Sequence, residues 1–118
     1  MIRKNQYLLA TALFCCMGGA MAADCLKENV LKHEIAVENL YELCFFKEIT
    51  QVKFSNATNF KRTVEVEEDI PTNYRENGVK GVLSIIASTP GKYTNAIVDT
   101  SDGIRREYTF VSVNNNAN

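Results

Sequence analysis

Between Asp24 and Lys47 the chain has no Pro or Gly, and its apolar positions recur at threes, fours and sevens: Leu26, Val30, Val37, Leu40, Tyr41 and Cys44. That period predicts an amphipathic helix. Glu28, Glu34, Glu38 and Glu42 fall between the apolar positions, and Leu31, Ile35 and Leu43 widen the apolar face enough for it to lie across a sheet. Asp24 and Asn29 are both candidate N-caps.

The period changes after Phe46. I-T-Q-V-K-F reads as a strand with Val52 and Phe54 on one face, and S-N-A-T-N as a turn. F-K-R-T-V-E-V-E alternates: Phe60, Arg62, Val64 and Val66 face one way, Lys61, Thr63, Glu65 and Glu67 the other. E-D-I-P-T-N-Y-R-E-N-G reads as a loop closed by the Asn77-Gly78 turn signal. V-K-G-V-L-S-I-I-A-S is the most apolar strand and is expected to be central, with Gly81 a candidate bulge. T-P-G-K and T-S-D-G turn between it and two further strands, K-Y-T-N-A-I-V-D-T and I-R-R-E-Y-T-F-V-S-V, and the close spacing predicts antiparallel hairpins. The expected fold class is α+β: an N-terminal amphipathic helix packed on one face of a four- or five-stranded antiparallel meander, in a single small domain.

The first residues change the boundaries. Arg3 and Lys4, the apolar run Tyr7 to Met17, the Gly18-Gly19 break and Ala20-Met21-Ala22 follow the grammar of a secretory signal peptide. The run is close to the short limit for a membrane span and dissolves into Gly and Ala, so no stable membrane insertion is expected after cleavage. The expected organisation is a signal peptide over 1–22, one domain over 23–113 and a frayed tail over 114–118, with the protein in the periplasm or secreted. Removing 1–22 from the 118 residues leaves 11 basic against 14 acidic residues. That balance does not suggest nucleic acid as a partner.

Cys25 and Cys44 remain in a compartment that permits disulfides. They lie 19 positions apart, which in a straight helix is about 28 Å. A disulfide needs Cα atoms within about 7 Å. A bond between them therefore limits any helix in the loop to about 14 residues, with the remainder stretched back. The expected arrangement is a Cys25–Cys44 bond with the helix starting near Asn29 and running to about residue 42. An intermolecular pair and two free thiols are the alternatives, and a homodimer stays open. The spacing is not that of a redox C-x-x-C motif.

Candidate chemistry is sparse. His33 is the only histidine, and no spacing ties it to a nucleophile and an orienting acid. It is expected to be a partly exposed helical residue. No metal-ligand spacing and no phosphate loop are visible, and no cofactor is expected. Glu65-Val66-Glu67-Glu68-Asp69 is the densest acidic run, suited to a solvated strand end or to a basic partner. Tyr74 and Arg75 sit together in the long polar loop, a pairing favoured at protein interfaces. The competing role for Tyr74 is packing its loop onto the sheet. Asn56-Ala57-Thr58 matches a glycosylation acceptor, a triplet common by chance.

The functional expectation is a small exported protein that binds another protein: an inhibitor, an immunity-type partner or an accessory subunit of an envelope assembly. Glu68, Asp69, Tyr74 and Arg75 are the candidate contacts, with an exposed edge strand as a second route. A periplasmic carrier of a small ligand or cation, using a concavity between helix and sheet, is the alternative reading. A small hydrolase is the third.

Overall fold

The structure, a computed structural model, describes residues 24–115. Residues 1–23, which include the stretch expected to be a signal peptide, and residues 116–118 lie outside the described residues. What is described is a small mixed α+β domain with one short helix and two sheets, of four and three strands.

The segment expected to be helical is extended. Strand β1 is Lys32–Ala36 and β2 is Tyr41–Phe45. The helical period arose from counting residues that belong to different faces. Ile35 and Leu43 enter the main core, Cys44 enters a second cluster on the opposite side of its strand, and Val30, Leu31 and Leu40 stay exposed. K-H-E-I-A alternates exposed and buried as a strand does, and Glu38 takes a positive φ of 64° in the turn that follows. Non-local pairing decides the outcome: β1 lies parallel to the last strand, and β2 pairs with a strand some forty residues away, Tyr41 opposite Ile85. Tertiary partners of this kind override a weak local preference.

Five further strands follow: β3 Ile49–Phe54, β4 Phe60–Val66, β5 Gly81–Ala87, β6 Tyr93–Thr100 and β7 Arg105–Val113. A 3-10 turn over Glu67–Asp69 and a helix α1, Thr72–Arg75, connect β4 to β5. The sheets run β1-β7-β6-β3 and β2-β5-β4. The strands therefore do not form one meander. Only β4–β5 and β6–β7 are sequence neighbours that pair, and β5 and β6, expected as a hairpin, belong to different sheets. The set β2-β5-β4 against β7-β6-β3 is the partition of an immunoglobulin-type sandwich, with the first strand at the edge of the larger sheet. That architecture hosts many unrelated functions.

The two inner faces share one core. Phe45 and Leu43 of β2, Phe60 of β4, Leu83 and Ile85 of β5, Val98 of β6 and Phe110 of β7 are fully buried in it. β5 is the central strand of its sheet, as its composition predicts. Gly81 keeps regular register on both sides, so it is not a bulge. A Cβ there would stand 3.0 Å from Lys47 O and from Ile49 Cγ1. The glycine permits close backbone approach, and the irregularity of the sheets lies instead between Ile49 and Gln51. At one end of the sandwich, Asn59 and Thr89 hold two loops together, Asn59 Nδ2 donating to Thr89 O at 3.1 Å and Thr89 N to Asn59 Oδ1 at 3.0 Å. Asn56 in the same loop accepts from Asn59 N and donates to Tyr93 O, so the amide of the acceptor triplet is already engaged.

A second, smaller cluster covers the outside of the three-stranded sheet: Cys25, Cys44, Ile70, Val79 and Val82, with Leu26 and Tyr74 packed against it. The Cys25–Cys44 bond is intrachain, with Cα atoms 5.2 Å apart. It straps residues 25–28 along β2. Cys44 N donates to Cys25 O at 2.8 Å, and Phe46 N to Glu28 Oε1 at 3.3 Å. Glu28 also reaches the other sheet, through Arg106 at 3.5 Å and through Tyr108, whose hydroxyl donates to Glu28 O at 2.6 Å. Replacing both cysteines by alanine is expected to cost about 2–4 kcal/mol, read as a lower urea midpoint. A loss well under about 1 kcal/mol would show that the Glu28 contacts hold the strap without the bond.

Candidate functional site

The four residues singled out in the sequence all fall between β4 and β5, and the structure divides them. Tyr74 turns inward. Its ring packs against the disulfide cluster, and its hydroxyl donates to Glu42 Oε1 at 2.6 Å. The carboxylate that accepts this bond, helped by partial burial, pushes the phenol up to about 12. The loop is thereby packed onto the sheet. Arg75 stays exposed and braces its own loop, Nε donating to Ile70 O and Nη2 to Thr72 Oγ1, each at 3.0 Å. Glu68 and Asp69 are exposed on the 3-10 turn.

Glu68 and Arg75 line one open depression together with Glu67, Glu48 from the β2–β3 connection, and Val66. An adjoining depression is lined by Ile49, Thr50, Gln51, Val52, Arg62 and Val64. Both open on the side of the sandwich where β3 and β4 are the edge strands. Val64 and Val66 lie on the core-facing side of β4, yet they are 38% and 41% exposed. Their alternation with Glu65 and Glu67 was legible in the sequence. That the opposite sheet fails to cover them was not, because no local pattern records where a facing strand ends.

The two edges on this side are not equivalent. In β3, Ser55 N donates to Asn95 O, in step with the β3–β6 ladder, so the N–H and C=O groups of Val52 and Phe54 point away from β6. Arg62 covers that edge. Its Nη2 donates to Val52 O at 3.3 Å, and its guanidinium lies 5.0 Å from the centre of the Phe54 ring. In β4, Ser88 N donates to Asn59 O in step with the β4–β5 register, so Lys61, Thr63 and Glu65 bond to β5. The backbone groups of Arg62, Val64 and Val66 consequently face outward, and among the described residues nothing bonds them. The strand carries no Pro and no bulge, two of the devices that blunt an edge, and its inward-pointing charge, Arg62, is engaged with β3. On the far side of the sandwich, β2 is covered by the strap, and β1 is only five residues long.

His33 is not a helical surface residue. It faces inward from β1, 3% exposed, against Tyr41, Tyr108 and Phe110. Val30 O can only accept, so Nε2–H donates to it at 2.7 Å, and the Tyr41 hydroxyl then donates to Nδ1 at 2.6 Å. Both ring nitrogens are occupied, which leaves His33 no free lone pair to act as a base. Burial lowers its pKa below 6.5, and nearby Lys27 acts in the same direction. Among the described residues no group of three or more His, Cys, Asp or Glu side chains is placed to hold a metal ion. Nor is any described helix long and apolar enough to cross a membrane. No protein-family model matches the sequence, and no curated protein matches it either.

The neutral His33 predicts a pH dependence. The unfolded chain takes up a proton near pH 6.5 while the folded chain resists it, so His33 favours the fold fully above that pH and less as pH falls below it. Asp99 and Asp102 are held below the ordinary carboxylate range by the Arg105 and Thr100 hydrogen bonds, so their titration acts at lower pH. The melting temperature of the protein should fall between about pH 7.5 and about pH 5, and His33→Gln should flatten that fall. An equally steep fall in the variant would assign it to other groups.

Proposed function

We propose that this is a small exported protein that works by binding another protein, with the outer edge of β4 at the centre of the contact. The observation that carries this reading is the conjunction on β4 of outward backbone groups at Arg62, Val64 and Val66 with the half-exposed side chains of Val64 and Val66. An extended segment laid along such an edge gains main-chain hydrogen bonds, and its alternate side chains find the apolar positions beside them. Glu68, Asp69 and Arg75 supply a charged rim at one end, and Lys61 at the other. Tyr74 acts from behind, keeping the rim loop seated. Export rests on the signal-peptide grammar of residues 1–22, and a buried disulfide suits a chain that matures in an oxidising compartment. The carrier reading placed its ligand between a helix and the sheet; the segment expected to form that helix is extended, and Phe45, Phe60 and Phe110 fill the space between the two sheets.

A photo-crosslinking amino acid placed at Val64, expressed in the native cell, should give a discrete adduct with a protein. The same group at Glu34, exposed on β1, should give none. Equal adducts from both positions, or none from Val64 and from Glu68, would overturn the reading.

A further inference from the structure

We infer that the segment β4 takes up is β4 of a second copy of this chain, paired antiparallel about a twofold axis at Val64. The inference rests on β4 being the binding edge and names its occupant. Three observations point to the strand itself. The first is the position of the free backbone groups. They belong to Arg62, Val64 and Val66, a run centred on Val64. A twofold axis there sets Val64 against Val64 of the second copy and Arg62 against Val66, so that outward donors and acceptors meet their like in hydrogen-bonded pairs. A register shifted by two residues would instead use Phe60, whose N–H already donates to Asn56 O, or, in the other direction, Glu68, which lies in the 3-10 turn beyond the strand.

The second observation is charge. F-K-R-T-V-E-V-E is basic in its first half and acidic in its second. Run antiparallel to itself about Val64, it brings Lys61 up to Glu67 of the second copy, the first residue after the strand, and diagonal to Glu65 within it. Opposed side chains on paired strands lie about 4.5–5.5 Å apart, and opposite charges there are favourable. A parallel arrangement in register would set Lys61 against Lys61 and Glu65 against Glu65. The third is the apolar surface. The twofold axis is perpendicular to the sheet, so core-facing sides stay together. Val64, 38% exposed, meets its own copy, and Val66, 41% exposed, meets the aliphatic stem of Arg62. Arg62 need not release Val52 O and the Phe54 ring to allow this, because its backbone and not its guanidinium makes the new pairing. The product is one continuous six-stranded sheet, β2-β5-β4 joined to its copy.

The test is sedimentation of the purified protein across concentration, up to about 1 mM. The wild type should pass from monomer to dimer. Val64→Pro removes the outward N–H at the centre of the pairing and no bond to β5, so it should stay folded by circular dichroism and sediment as monomer. A charge swap, which leaves the β4 backbone unchanged, gives a second arm. Lys61→Glu alone and Glu67→Lys alone should each weaken the dimer roughly tenfold, and the two together in one chain should restore it. Restoration within a single sequence is expected of self-pairing and not of a different partner. A wild type that is monomeric throughout, a dimer that survives Val64→Pro, or a swap that does not restore association would each overturn the inference. If the wild type is monomeric while a cross-linker at Val64 still captures a protein of another mass, the self-pairing fails and the β4 edge stands as a binding face for a different partner.

Discussion

The bond between Cys25 and Cys44 sets where the chain enters the sandwich, and much of the molecule follows from that point. A segment tied to β2 at one end must reach the far edge of the other sheet within a few residues to become β1. Residues 24–31 make that crossing along the open side of the domain, and Glu28 fastens both margins, to Phe46 N on the β2 side and to Arg106 and Tyr108 on β7. The same strap covers the edge of β2 and seals His33 behind it. Leu31 O then takes the Thr109 amide, carrying the chain into register with β7. A small domain buries a modest share of its surface, so one covalent tie of this kind is a large fraction of what keeps it folded.

Closing one side so thoroughly makes the other side conspicuous. There, β3 and β4 end their sheets, and a single side chain separates their fates. Arg62 turns inward from β4, stacks over Phe54 and takes up a carbonyl of β3, which guards the β3 edge at the expense of leaving β4 to itself. Inward-pointing charge is a common protection of sheet edges, but here it protects the neighbour. The loop after β4 reinforces the asymmetry. Tyr74 bonds Glu42 and Arg75 braces Ile70, so the chain that could have folded back over Val64 and Val66 is held against the disulfide cluster.

Much of the sheet structure was legible in the chain. The alternation of residues 60–66, the apolar run of β5, and the turns at Asn77-Gly78, Gly91 and Gly103, each glycine at positive φ, correspond to what formed. The arithmetic on Cys25 and Cys44 made a straight helix and an intrachain bond mutually exclusive, and the expected bond is the one that formed. It did not exclude a shorter helix, and there the reading of 30–42 failed. Two short strands joined by a turn happen to reproduce spacings of three, four and seven, and nothing local distinguishes that superposition from an amphipathic helix. What decides between them is a parallel pairing with β7, roughly seventy-seven residues downstream: Lys32 opposite Thr109. The candidate loop residues were located correctly between β4 and β5. Their division into inward Tyr74 and outward Glu68, Asp69 and Arg75 depends on where Glu42 falls, which belongs to the same misread segment.

Binding at β4 requires a free outer edge, and amide hydrogen exchange reads that edge residue by residue. At low concentration exchange should alternate within one strand: slow at Lys61, Thr63 and Glu65, whose groups face β5, and fast at Arg62, Val64 and Val66. Raising the concentration should slow the second set and leave the first unchanged. Uniform protection of all six amides in the dilute protein would mean the edge is already covered from within the chain, and would contradict the account.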